Sequence, residues 1–170
     1  MRIKRKLTAI VAMAIIGAVG LAPMANAATR PTTAQKLQLQ FMIEEEKLAR
    51  DVYLYLAENV TSSKFANIAR SEQSHMDQIA AILKTYNYFN PTTTRAPGVF
   101  RDKTLQDWYN ALIAQGSEGV AAAFQVGRDI ENRDITDLQL MLKSTMPADM
   151  KLAVNNLLKA SINHLAAFSR

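Results

Sequence analysis

The 170-residue chain contains no cysteine. That absence excludes disulfides, thiolate metal sites and cysteine nucleophiles, so packing or a bound metal must supply the stability. No stretch sustains polar–apolar alternation, so no sheet is expected. Charge of one sign is scarce as well. The formal charge of +5 is concentrated at the start, where Met1–Ala27 carries four of the 20 Lys and Arg and none of the 15 Asp and Glu. Without that segment the net charge is +1. Nothing in that balance argues for a nucleic-acid partner.

The first 27 residues read as a cleaved signal peptide. Arg2, Lys4, Arg5 and Lys6 form a basic start, Leu7 to Ala22 an apolar core, and Ala25-Asn26-Ala27 an A-x-A cleavage site. The alternative is an uncleaved anchor, but roughly 16 apolar residues fall short of the ~20 that a span needs. No cysteine follows the core, which excludes a lipoprotein anchor. The expectation is export to the periplasm or the exterior, with no membrane attachment after cleavage. Residues 28–170 then suit one domain with a single core.

Apolar periodicity predicts an all-α domain of four long helices, with a shorter one inserted after the second. The first follows Pro31-Thr32-Thr33, where Thr can cap it, and runs to about Val60. The turn Thr61-Ser62-Ser63-Lys64 sends the second, Phe65 to about Tyr86, back antiparallel. A crossover rich in Thr and Pro occupies Asn87–Arg101, before the short helix Lys103–Gln115. The third long helix spans about Val120–Leu142. The fourth starts with Pro147 at its first position and ends near Phe168. The arrangement expected is two antiparallel hairpins joined by a long crossover. Trp108 and Tyr109 on the inserted helix are expected to cap one end of the bundle.

Each apolar seam is interrupted near its middle. The second helix reads Phe65, Ile68, Glu72, His75, Ile79, Ile82, so a carboxylate and an imidazole stand where packing calls for Leu or Ile. Residues three apart share a helix face about 5–6 Å apart, close enough to serve one ion. The first seam breaks at Glu46, the third at Glu131 and Asp134, and the fourth at Ser161 and His164. Both histidines of the chain therefore lie on seams. Buried carboxylates need a partner or a metal. A di-metal site in a four-helix bundle takes a Glu from each of two helices and Glu-x-x-His from the other two. Three of those four parts are here, with Ser161 in place of the last Glu. Oxygen donors with two imidazoles suit iron or manganese, while zinc more often takes four N or S ligands.

Glu46-Lys47-Leu48-Ala49-Arg50-Asp51-Val52-Tyr53 resembles the Glu-x6-Tyr signature on the first bundle helix of rubrerythrins and bacterioferritins. Glu72-Gln73-Ser74-His75 resembles their second-helix Glu-x-x-His, and Glu131-Asn132-Arg133-Asp134 the paired third-helix carboxylates of rubrerythrin. With Asn163-His164-Leu165 in the last helix, the chain is similar to exported prokaryotic ferritin-like domains of unassigned function. The likeness covers about Thr33–Phe168. It implies a ferritin-like bundle with two iron ions per chain, reacting with dioxygen or peroxide, and Tyr53 close to the first ligand as a catalytic residue. Glu46, Glu72 and His75 would hold one ion, and Glu131, Asp134 and His164 the other, with Glu72 bridging. Two departures qualify it. Ser161 stands where the family places a bridging carboxylate, and the chain has no Cys-rich rubredoxin segment, so an external electron donor is expected. With no short helix after Phe168, a ferritin cage is not expected, while a homodimer is compatible with the layout.

Plainer readings stand beside these. Glu72 and His75 could form a buried structural ion pair, His164 could be a core histidine, and Asp134 sits on a helix with other acids. Tyr53 could be plain core with its hydroxyl on a carboxylate. Glu44 and Glu45, flanking Glu46 off the seam, read as solvent-facing. No pattern supports haem or a nucleotide. The function these residues favour is metal-dependent redox chemistry, Fe(II) oxidation by O2 or peroxide. The alternatives are a non-catalytic binding module with a degenerate site, and manganese-dependent peroxide dismutation.

Overall fold

The structure, a computed structural model, describes residues 30–170. The signal peptide read at residues 1–27 lies outside the described residues. Five helices follow in order: α1 Thr33–Asn59, α2 Ser63–Thr85, α3 Lys103–Gly116, α4 Val120–Leu142 and α5 Ala148–Phe168. There are no strands among the described residues. None of the described helices is long and apolar enough to cross a membrane.

Local signals set the helix ends. Thr32 caps α1 by accepting from the Gln35 amide while the Gln35 side chain accepts from the Thr32 amide, a reciprocal capping box. Ser62 caps α2 and Asp102 caps α3. Asn87, at φ 56, supplies the left-handed residue that closes α2. Pro147 is the N-cap of α5, with ψ 147, and not its first helical residue. The extended ψ leaves its carbonyl free to accept from Lys151 at 2.9 Å.

Helices α1 and α2 pack as one hairpin, α4 and α5 as another, and α2 lies along α5. The α1–α4 side is more open, and α3 spans it. Two apolar cores result. One gathers Tyr53, Phe65, Phe124 and Phe168 with Leu105 and Leu112 of α3. The other gathers Leu39, Met42, Ile79, Leu83, Leu138, Met150 and Leu157 at the opposite end. Burying side chains of this size is the main favourable term, roughly 1.5–3 kcal/mol each. In the first core Gly127 has no room for a side chain, since a Cβ there would lie 2.7 Å from the Phe168 ring.

The seams expected from periodicity are largely buried: Val120 at the start of the third is exposed, while Tyr86 at the end of the second and Phe124 and Asp134 on the third are half-buried. Trp108 does not cap the bundle end. It lies against the α1–α4 gap, its ring 4.6 Å from the Arg133 guanidinium. Glu44 and Glu45 are buried, against the solvent-facing reading. The crossover folds back onto α1, where Glu44 accepts from the amides of Arg101 and Asp102. Glu45 faces α4 and pairs with Arg133. On this stretch of α1 every residue from Met42 to Ala49 is buried, because α2, α3, α4 and the crossover together surround it.

Candidate metal centre

Between the two apolar cores lies a layer of charge. Glu46 of α1, Glu72 and His75 of α2, Glu131 of α4 and His164 of α5 are all buried and converge there. They form two groups that share one residue. Glu46, Glu72 and His75 bring ligand atoms within 4.8 Å of one another, and Glu72, Glu131 and His164 do the same. Glu72 is only 2% exposed and turns one oxygen to each imidazole. Its Oε2 lies 2.7 Å from His75 Nδ1 and its Oε1 2.9 Å from His164 Nδ1. His75 Nδ1 also lies 3.0 Å from Glu46 Oε2, and His164 Nδ1 3.6 Å from Glu131 Oε2. The two rings stack with centroids 5.7 Å apart.

Asp134 is not brought into either group. Its carboxylate is taken by the Ser161 hydroxyl of α5, so the second group keeps Glu72, read as bridging, together with Glu131 and His164, and lacks Asp134. Tyr53 sits behind the second group, donating to Glu131 Oε1 at 2.7 Å. That is the hydroxyl-on-carboxylate contact, and it fixes the rotamer of Glu131 from the side of the aromatic core.

The hydrogen bonding within the layer is incomplete. Glu46 Oε1, Glu72 Oε1 and His164 Nδ1 are buried without an aligned hydrogen-bond partner, although the last two are 2.9 Å apart. Donor atoms this close but not aimed at each other point towards a shared position between them. A buried unsatisfied polar atom costs about 1–3 kcal/mol, and three in one layer are a large cost for packing alone. Cations held by the two groups would together satisfy all three. Three carboxylates and two imidazoles are a donor set suited to a hard or borderline divalent ion. The residues present therefore fit a metal.

Protonation of the layer follows from the same crowding. Burial alone would lower the His75 pKa, but its contacts with Glu46 and Glu72 hold it up at about 11. His164 is likewise held up at about 9, against burial, by Glu131 and Glu72. Burial pushes Glu46 up to about 8 and Glu131 to about 7, each opposed by its imidazole. Burial would raise Glu72 too, yet the two imidazoles close to its oxygens bring it down to about 2. Burial, with the charge on Glu131, drives the Tyr53 phenol well above its ordinary range, and Asp134 is raised by burial and by Glu46. Without metal, the layer holds its positive charge as protons. Metal binding displaces such protons, which makes affinity rise with pH.

Sequence reading missed two residues beside this layer. Glu45 is pushed up to about 8 by burial and pairs with Arg133 at 3.0 Å, on the side of the centre that faces the α1–α4 gap. Glu45 lies one position off the seam, within a run of three acids, so only the packing of α4 against α1 reveals it.

These features define a helical bundle with a buried carboxylate–imidazole centre able to hold metal. Residues 35–170 match the family described as "Uncharacterized protein domain (DUF2202)", and the chain belongs to it. Among its relatives is the uncharacterized protein MJ0754 of Methanocaldococcus jannaschii, 42% identical over 129 residues, which are 76% of this chain and 70% of that protein. The crystal structure of hypothetical protein MJ0754 is similar to this fold. Its TM-score is 0.80 at 39% identity, over 82% of this chain and 80% of that one.

Proposed function

We propose that the chain is a ferritin-like metal protein whose centre holds two ions, iron by preference. Glu46, Glu72 and His75 take one and Glu72, Glu131 and His164 the other. The observation that carries this is Glu72: buried, shared by both groups, and with an oxygen that no hydrogen bond satisfies. Iron bound there supplies electrons to dioxygen or peroxide, so Fe(II) oxidation is the reaction assigned. The protein's own groups prepare the place for it. The two apolar cores exclude water on either side, Glu72 fixes both imidazoles, and Tyr53 holds Glu131. The export signal read from the sequence would place this chemistry in the periplasm or outside the cell. An external electron donor completes the picture, and manganese with peroxide fits the same donors.

The second reading is a binding module that holds one ion and does no redox chemistry. Ser161 favours it, because it draws Asp134 away from the second group. Oxygen consumption separates the two readings. Protein loaded with Fe(II) under anaerobic conditions and then exposed to oxygen should consume it, and His75→Ala should do so far more slowly. Equal consumption by both proteins removes the redox reading and leaves the module.

A further inference from the structure

The open side of the bundle leads to the centre. A groove of about 430 Å³ runs between α1 and α4, with Leu37, Phe41 and Leu140 at its outer part. It is also lined by the polar residues Glu45, Arg133, Asp134 and Asp137. Three of these, Glu45, Arg133 and Asp134, also line a smaller cavity whose other walls include Trp108, Glu46, Glu72 and Glu131. The groove and the buried centre therefore meet at one neck. Arg133 sits in it as the only cation of the lining residues, 3.0 Å from Glu45 and 3.7 Å from Asp137 through the same Nε atom, with its guanidinium over Trp108. Arg133 is 38% exposed at its side chain, so it can swing outward into solvent. Behind it, the unpartnered Glu46 Oε1 belongs to a residue lining the inner cavity.

We propose that divalent cations reach the centre through this neck, displacing the Arg133 guanidinium from Glu45 and Asp137 and resting there before passing to Glu46 and Glu131. The chemistry is an exchange of one cation for another. The neck gathers three carboxyl groups around one guanidinium, oxygen donors that suit an incoming divalent cation and not an anion. Arg133 keeps the carboxyl groups compensated until an ion arrives.

This inference rests on the metal reading above, and the test separates the two. Trp108 is the single tryptophan and borders the inner cavity, so its fluorescence reports an ion arriving there. Stopped-flow mixing with Mn(II) or Co(II) gives the uptake rate, and equilibrium dialysis the final stoichiometry. Glu45→Gln should slow uptake about tenfold with the final stoichiometry unchanged. Arg133→Gln should load several-fold faster than the parent, again with unchanged stoichiometry, with an unchanged helical circular dichroism spectrum showing that it folds. Parent-like rates in both variants overturn the route while leaving the centre in place. A parent protein that takes up no ion overturns the centre and the route together.

Discussion

Helix α1 carries two buried charged clusters less than two turns apart, and they are built differently. Lys47, 1% exposed, pairs with Asp51 at 2.5 Å, donates to the Ala96 carbonyl at 2.9 Å and lies over the Phe100 ring. Asp51 also accepts from Arg50 and from the Gly98 amide. The Lys47 amine and both Asp51 oxygens are thus satisfied, and the cluster straps the crossover onto the bundle. Lys47 directly follows Glu46, whose layer has a surplus of acids, two imidazoles held protonated and three unsatisfied atoms. Complete satisfaction marks a structural ion pair, while convergent, unsatisfied donors mark a place for something else. Burial of charge alone does not distinguish the two.

The largest effect should come from breaking the complete cluster. Lys47→Met leaves Asp51 buried with fewer partners and should cost about 3 kcal/mol, read as a lower denaturant midpoint with or without chelator. A loss under ~1 kcal/mol would mean that the strap contributes no more than a surface pair. The pH response of the chelated protein comes next. His75 and His164 have folded pKa values raised above the unfolded 6.5, so their stabilisation is present below that value and fades as pH rises towards about 9 and 11. Glu46 and Glu131, raised above 4.5, lose stability over the same direction as they ionise. Glu72, depressed to about 2, contributes above 4.5 and loses its share only in strong acid. Thermal midpoints of the chelated protein should therefore fall from pH 5 to pH 10, and added metal should flatten the fall. The smallest effect is Tyr53→Phe, which removes one hydrogen bond to Glu131 for about 1 kcal/mol. It should also lower the oxidation rate more than the metal stoichiometry.

The sequence made the bundle legible because seams on α1, α2, α4 and α5 are interrupted at matching depth, and that depth is where the centre forms. The start of α1 was legible because a Thr after Pro31 can cap it, whereas Ser62, which caps α2, was read as part of the turn and the helix as starting at Phe65. What escaped depended on contacts far apart in the chain. Glu44, Glu45, Lys47 and Asp51 lie off or beside the α1 seam, and their burial comes from the crossover, α3 and α4. A charge run reads as a solvated face until the element that covers it is known. Asp134 satisfies the seam pattern as well as Glu131 does, but its side chain is one methylene shorter, and Ser161 claims it from α5. Trp108 could be placed on its helix but not against Arg133, since nothing local fixes the path of a crossover helix.

Elemental analysis of the purified chain, beside Glu72→Ala, tests the central claim most directly. Because Glu72 belongs to both groups, the parent should carry close to two ions per chain and the variant should lose both. A parent with one ion or none, or a variant with the parent's stoichiometry, would contradict it.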